Sequence, residues 1–299
     1  MSPTTLTTLT DVAAPAKLNL FLHIVGRRAD GYHLLQSVFV LIDWADTLHF
    51  ERRADGRLQR HDLTATLPAD DLCLRAARAL QAASGTAFGA DISIDKQVPW
   101  GAGMGGGSSD AASTLLALNR LWGLGWSRER LMALGLSLGA DVPFFIGGQN
   151  AFVEGVGEIL TPLALPRQWL AVVKPGAAIE TRAIFASPLL ARDHKADTVA
   201  GFLVDAGIQK LLDGYGINVM QPPAESECPD VAKAARVLQE RFGNSRMTGS
   251  GSAVFARAGT GHQPLASLPS ELLQGGPEGW VGRMCRSLEE HPLRGWASD

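Results

Sequence analysis

Residues 99–112 read Pro-Trp-Gly-Ala-Gly-Met-Gly-Gly-Gly-Ser-Ser-Asp-Ala-Ala, and this stretch restricts the chain more than any other. Glycines at this density clear side chains from the backbone, so consecutive N–H groups can curl around an anion at close range. Leu115, Leu118 and Trp122 recur at helical spacing and predict a helix over 108–122, with Asp110 suited to its positive first turn and Gly123 and Gly125 ending it. A glycine-rich loop running into a helix N-terminus has the construction of a phosphate site.

Three glycine motifs compete for the stretch. Walker A is excluded because no Gly-Lys-Ser/Thr follows the glycines. Gly101, Gly103 and Gly106 fit the dinucleotide fingerprint, but a Rossmann unit needs a strand after its helix, and 127–138 reads as a second helix. The protein-kinase loop wants a Val two places after its last Gly, and the chain has no His-Arg-Asp or Asp-Phe-Gly. A flexible linker would not be set between a strand and an amphipathic helix.

With 299 residues the chain has room for two ordinary domains, divided at the proline-flanked joint 162–166 into 1–162 and 163–299. A formal charge of −3 with mixed signs exerts no long-range pull on nucleic acid or anionic lipid, so a phosphate site must be local. Cys73, Cys228 and Cys285 are widely separated and odd in number, which suggests neither a disulfide framework nor a zinc site and fits a reducing cytoplasm. No metal-ligand cluster of protein side chains is expected. The threonine-rich start, residues 1–10, lacks the make-up of a signal peptide and is expected to fray. The apolar run 142–153 is too short and Gly-broken to span a bilayer, so no membrane partner is expected.

Residues 16–25 alternate, with Leu18, Leu20, Leu22 and Ile24 on one face and Lys17, Asn19, Phe21 and His23 on the other, which predicts a strand. Alone, Lys17 reads as an edge-strand solubility device. Asp30-Gly31 marks a hairpin turn, and Tyr32-His33 opens an apolar run to 42, with further short strands over 47–51 and 57–63. Asp70 or Asp71 caps a helix carrying Leu72, Ala76 and Leu80, and Ile92 and Ile94 form the strand entering the glycine loop. In 139–145, Pro143 is expected to hold Val142 extended and so to fix the direction of Asp141, whose plain reading is a cap or turn residue. Strand 169–173, helix 231–241, a Gly249-Ser250-Gly251 turn between two strands and a closing helix over 281–288 complete the reading. Phe185, by periodicity, is core, and Asn218 to Pro223 receive no role.

Taken in order, these segments resemble the motifs of the GHMP kinases, the family of galactokinase, homoserine kinase, mevalonate kinase and phosphomevalonate kinase. Pro99, Gly103, Met104, Gly105, Gly106, Gly107, Ser108 and Ser109 stand in its second motif, with Met104 where Leu is usual. Pro15-Ala16-Lys17-Leu18-Asn19-Leu20 resembles the first motif, 139–145 the acidic segment, and 246–255 the third motif. Arg27, Arg28, Asp30, Gly31, Tyr32 and His33 together look like a segment of one branch, the 4-diphosphocytidyl-2-C-methyl-D-erythritol kinases, in which the corresponding Tyr and His hold the cytidine. Asp71-Leu72-Cys73 stands where the family often has Asn-Leu-Ile near the adenosine.

The resemblance implies a two-domain α+β fold, the first domain like ribosomal protein S5 domain 2 and the second ferredoxin-like, with the site between them. It implies a cytoplasmic small-molecule kinase, monomer or homodimer, that moves the γ-phosphoryl group of ATP to the 2-hydroxyl of cytidine diphosphate-linked methylerythritol in the non-mevalonate isoprenoid route. Pro99, Trp100, Gly101, Ala102, Gly103, Met104, Gly105, Gly106, Gly107, Ser108 and Ser109 would hold ATP, with Ser108 or Ser109 helping to seat Mg²⁺. Asp141 would take the hydroxyl proton, aided by Lys17 because an unperturbed carboxylate near pKa ~3.9 is a poor base toward an alcohol. Asn19, Tyr32, His33, Thr181 and Phe185 would meet the acceptor, Phe185 stacking opposite Tyr32. A mevalonate- or homoserine-type kinase would keep the glycine loop, Lys17 and Asp141 but give no reason for Tyr32, His33 and Phe185. A non-enzymatic ligand sensor on the same scaffold would tolerate loss of Asp141.

Overall fold

The spine is a pair of antiparallel strands much longer than the alternation predicts, β1 over Thr8–Arg27 and β2 over His33–Arg53. The computed structural model describes residues 6–273 and 279–299. Residues 1–5 of the expected tail lie outside the described residues. The rest of that tail is ordered, since Arg52 N donates to Thr7 O at 2.8 Å and Thr8 opens β1. The expected separate strand 47–51 is the far half of β2. Asp43 and Asp46 look like breakers in the sequence, yet Asp46 turns inward, its carboxylate accepting from Gln97 N (2.6 Å) and Val98 N (2.8 Å), and a register shift between Pro15 and Lys17 absorbs the irregularity.

The other edge of β2 is shared. Its later residues pair with β4 (Gly89–Asp95), which carries β3 (Leu58–Asp62) in parallel, and its earlier ones with β5 (Ala151–Glu154), which carries β6 (Ile159–Pro162). Helices α1 (Leu72–Ser84), α2 (Gly106–Leu121), α3 (Arg128–Leu136) and α4 (Val142–Gly147) cover one face through Leu115, Leu118, Leu131 and Phe144 against Phe39, Leu41 and Phe50. A second, antiparallel sheet runs in the order β10 (Val281–Arg286), β7 (Trp169–Lys174), β9 (Val254–Arg257), β8 (Arg246–Met247). Around it lie α5 (Thr181–Ala186), α6 (Asp205–Leu212), α7 (Gln221–Glu227), α8 (Pro229–Phe242) and α9 (Ser270–Leu273).

Period-2 alternation gives the second sheet two apolar faces. Leu170, Val172 and Phe255 face Leu18, Val40 and Phe152 of the first sheet, while Ala171, Val173 and Val254 face Val231, Ala234 and Leu238 of α8. The result is a four-layer α+β stack, helices outside and two sheets inside. Residues 281–288 do not form the expected helix: Val281 to Arg286 pair with Lys174 to Trp169. The short pattern there fits either period, and an open edge of β7 decides it, with Gly282 allowing Leu272 to lie close. Beyond it the chain returns to the first layer, where Arg128 holds Asp299 at Oδ1 and donates to the carbonyls of Ile146, Arg294 and Ala297. No helix among the described residues is long and apolar enough to cross a membrane.

The second sheet covers the Leu18 face of β1, and the glycine loop and helix layer cover the other, so its polar face is buried as fully as its apolar one; Lys17 is 3% exposed and Asn19 1%. The alternation also slips once. Asn19 pairs with Phe39 but Leu22 with Ser37, a bulge that sends both Leu20 and Phe21 into the inter-sheet core.

Two glycine loops cross at the seam between the layers. Gly103 has φ +72°, and a Cβ on it would lie 2.2 Å from Thr248 O, while one on Gly249 would meet Gly103 O at 2.6 Å. Gly103→Ala must therefore move backbone against backbone, whereas Gly123→Ala, with φ +67° and open space around it, meets only the left-handed penalty. Gly123→Ala should cost about 1 kcal/mol and Gly103→Ala clearly more, compared by urea denaturation midpoints.

Candidate active site

α2 begins at Gly106, two residues earlier than the spacing predicts, because Gly105 at φ 71° serves as N-cap without a side chain. Ser109 N finds Gly105 O at 2.9 Å, but no side chain caps the N–H groups of Gly106, Gly107 and Ser108, which leaves a positive rim at the helix start. The loop before it is pinned by main-chain bonds alone: Lys17 N to Met104 O (2.9 Å), Ser252 N to Gly101 O (3.1 Å) and Ala253 N to Ala102 O (3.1 Å). It walls a cavity of about 470 Å³ that Trp100, Leu72, Lys96, Ser108, Thr181 and Ser250 also line. The two serines part company here. Ser109 is fully buried and donates to Pro15 O at 2.7 Å, so of the pair only Ser108 lines the cavity, its Oγ beside Gly139.

Asp141 reaches the same seam by a route other than the expected one. Val142 is helical, not extended, since Pro143 sits in the first turn of α4, where its missing N–H is not needed. Asp141 occupies the N-cap position with α-region dihedrals (φ −82°, ψ −15°) and makes no side-chain cap bond, so its carboxylate is left to face Lys17. It lies 3.6 Å from Lys17 Nζ, with about a third of its side chain open to solvent. Lys17 Nζ also donates to Asn19 Oδ1 at 2.7 Å and stands 4.4 Å over the Phe39 ring. Burial pulls the Lys17 ammonium below the ordinary lysine range, against the attraction of Asp141. Asn19 is held from three sides: its N accepts nothing but donates to Thr248 Oγ1 (2.9 Å), Thr248 Oγ1 donates back to Asn19 Oδ1 (3.1 Å), and Asn19 Nδ2 donates to Ser37 Oγ (2.9 Å).

The remaining expected residues divide into two places joined by α5. Thr181, at its start, lines the glycine-loop cavity and shares a hydrogen bond with Ser250 Oγ at 2.7 Å. Phe185, one turn on, stacks on His33 with centroids 4.9 Å apart and planes at 18°, while Tyr32 stands 65% exposed on the turn before β2. Phe185 thus meets His33 rather than Tyr32. Burial, with Arg27 and Arg192 nearby, lowers the His33 pKa and keeps the ring neutral at pH 7.

Sequence reasoning missed two groups, the Lys96–Asp46–Asp110 cluster and Asn218. Asp110 is not an exposed partner of the helix dipole; it is buried and pairs at 2.7 Å with Lys96 Nζ, which also contacts buried Asp46. Burial opposes the charge on Lys96, but the two carboxylates hold it above the ordinary lysine range, and burial pushes the Asp110 carboxyl upward. Asn218, which received no role, is 3% exposed and donates from Nδ2 to Met247 O (2.7 Å) and Gly249 O (2.8 Å), fixing the third-motif turn. Of the two caps the sequence offered, Asp71 is the one: it caps α1 through Leu74 N and Cys73 N and also binds Arg60, so its carboxylate is already occupied. No local pattern in the sequence distinguishes a charge that will be buried from one that will be solvated.

Residues 71–149 match the family model described as GHMP kinases N terminal domain, and 205–266 that described as GHMP kinases C terminal. A protein of Methylibium petroleiphilum named 4-diphosphocytidyl-2-C-methyl-D-erythritol kinase is 65% identical over 97% of this chain and 98% of its own length. One of the same name from Paracidovorax citrulli is 57% identical over 98% and 99%. This chain belongs to that kinase family. A crystal structure of 4-(cytidine 5'-diphospho)-2C-methyl-D-erythritol kinase superposes with TM-score 0.75 at 32% identity, covering 94% of this chain and 98% of its own. Homoserine kinase of Cytophaga hutchinsonii shares the fold at TM-score 0.69 and 16% identity, over 97% of each chain. As a GHMP kinase, the protein is an ATP-dependent small-molecule kinase with an α+β fold built from the family's N- and C-terminal domains.

The Lys96 cluster gives a stability test. Lys96→Met leaves two buried carboxylates facing one another and should cost ~3–5 kcal/mol, read as a lowered thermal midpoint. Asp110→Asn keeps one ammonium–carboxylate pair, Lys96 with Asp46, and should cost much less.

Proposed function

We propose that this chain transfers the γ-phosphoryl group of ATP to the 2-hydroxyl of 4-diphosphocytidyl-2-C-methyl-D-erythritol, giving the 2-phosphate and ADP, as a cytoplasmic monomer or homodimer in isoprenoid precursor synthesis by the non-mevalonate route. The observation that carries the reading is a free carboxylate 3.6 Å from a buried ammonium, both at the edge of a glycine loop whose helix start bears uncapped amides. The names of the full-length relatives supply the acceptor.

In this reading residues 99–107 and the start of α2 take the triphosphate through main-chain N–H groups. Ser108 Oγ, which lines the cavity, is a hard oxygen donor and would help seat Mg²⁺, which keeps most of its shell as water and phosphate oxygens. Bound there, Mg²⁺ would neutralise phosphate charge. Asp141 accepts the proton of the acceptor hydroxyl as the new O–P bond forms and the bond from the γ-phosphorus to the oxygen leaving with ADP breaks. Asn19 fixes the ammonium of Lys17, which faces the developing negative charge; a donor set in place before the reaction costs no reorganisation during it. Tyr32, His33 and Phe185 would receive the cytosine, whose flat face suits aromatic stacking.

Asp141→Asn should lower kcat by roughly 10²–10⁴-fold while ATP still binds, measured by ADP release and by nucleotide titration. Near-normal turnover removes Asp141 from the mechanism. Because burial lowers the Lys17 pKa, its positive charge is lost at a lower pH than in a free lysine, and kcat/KM should fall on an alkaline limb below ~10.4. Lys17→Met should abolish that limb along with most activity. Tyr32→Ala should raise KM for the acceptor and leave KM for ATP unchanged; equal losses for both would mark a folding role. An acceptor panel of the cytidyl compound, mevalonate and homoserine with MgATP decides among kinase readings, and turnover of mevalonate or homoserine alone would refute this one.

A further inference from the structure

The aromatic pair His33–Phe185 is closed into a ring of contacts that the reaction itself does not use. Phe185 belongs to the short helix α5, whose last turn is held by Arg192: Nη2 donates to Phe185 O (2.8 Å) and Ser187 O (3.0 Å), and Nη1 to Leu190 O (3.0 Å). Five residues later Asp197 docks on the first sheet. Its N donates to Gln36 Oε1 (2.7 Å), and Gln36 Nε2 donates back to Asp197 O (3.0 Å). The glutamine amide thereby pairs with a main-chain unit as a neighbouring strand would. Gln36 is 4% exposed, its second Nε2 proton goes to Glu154 Oε1 (2.9 Å), and it lies three residues beyond His33 on β2.

The same docking point is braced from β1 and from the turn before α7. Tyr215 OH donates to Asp197 Oδ1 at 2.6 Å, and the His23 and His194 rings lie 3.7 Å apart while His194 N donates to Ile24 O (3.0 Å). A segment with no helix or strand of its own from 187 to 197 is thus tied at both ends. One tie leads to Phe185 and the other, through β2, to His33.

We propose that Gln36 is a positioning residue for the acceptor's pyrimidine. By holding both main-chain groups of Asp197 it anchors residues 187–197, and through Arg192 that anchor sets where the Phe185 ring stands against His33. The inference rests on the reading that His33 and Phe185 receive the acceptor's base. Gln36 touches neither reactant; it acts through the backbone of Asp197.

Four single variants, one double variant and one exchange measurement test it. Gln36→Ala should raise KM for the cytidyl acceptor about tenfold, the worth of one or two lost hydrogen bonds, with kcat and KM for ATP within about twofold. Hydrogen exchange of the Gln36→Ala protein should show loss of amide protection in 187–197 whatever the acceptor contacts. Arg192→Met, which leaves the Gln36–Asp197 pairing intact, should give the same selective rise in acceptor KM. Asp197→Asn, which keeps the main-chain groups and an oxygen for Tyr215, should stay near wild type. Phe185→Ala tests the underlying reading by itself, and in that background Gln36→Ala should add little. If Phe185→Ala raises acceptor KM and Gln36→Ala does not, or if the two effects simply add, the positioning role is overturned and the aromatic reading stands. An unchanged acceptor KM in Phe185→Ala overturns both, and unchanged exchange in Gln36→Ala overturns the anchor.

Discussion

A lysine buried beneath the glycine loop, on the helix-covered face of the first sheet, is the constraint around which the seam of this fold is arranged. An ammonium removed from water needs a hydrogen-bond partner and an opposite charge, and Lys17 has one of each: Asn19 Oδ1 at 2.7 Å and Asp141 at 3.6 Å. Asn19 can serve only because Thr248 and Ser37 fix it, and Asp141 only because its N-cap position leaves the carboxylate unspent. The strand that carries Lys17 is held in turn by Met104 O of the glycine loop. First motif, glycine loop, acidic segment and third motif therefore depend on one another through a single buried charge.

The contrast with Lys96 shows what each arrangement is good for. Both ammonium groups are buried, but Lys96 faces two buried carboxylates and is held above the ordinary lysine range, whereas Lys17 has one partner a third open to water and falls below it. A charge locked by two anions is a brace. A charge held by a distant, partly solvated anion responds to what enters the site, since new negative charge nearby restores what burial took away. Lys96 also lines the glycine-loop cavity, yet its charge is already matched by Asp46 and Asp110, so the amides at the α2 start are left as the uncommitted donors.

What was legible in the sequence follows a physical division. The glycine loop, the helix after it and the Lys17 strand were visible because φ, spacing and alternation are local properties written in consecutive residues. The strand lengths were not, because Asp43 and Asp46 signal a break that only a tertiary contact, Asp46 with the 97–98 backbone, cancels. Residues 281–288 were misread for the same reason: an open edge of β7 was needed to choose between two periods. Asp110 and Asn218 stayed silent since their partners, Lys96 and the carbonyls of Met247 and Gly249, come from other segments. Motif resemblance singled out Asp141, which the fold brings to within 3.6 Å of Lys17, but the local rule that Pro143 would extend Val142 failed, as a proline in the first turn of a helix meets no steric objection.

The two halves of the candidate site are held in different ways. The glycine loop is fastened by main-chain groups, Lys17 N, Ser252 N and Ala253 N, and these bonds survive replacement of almost any side chain that does not collide. Homoserine kinase accordingly keeps this fold with little sequence in common. The opposite half is fastened by side chains: Gln36, Arg192 and Tyr215 hold the 187–197 segment, and His33 meets Phe185 ring to ring. Side-chain fastenings change with single substitutions, so this half can diverge while the glycine-loop half stays fixed. On the proposed assignment, acceptor choice would rest with residues 28–36 and 181–197, and phosphoryl transfer with a loop that barely depends on which side chains surround it.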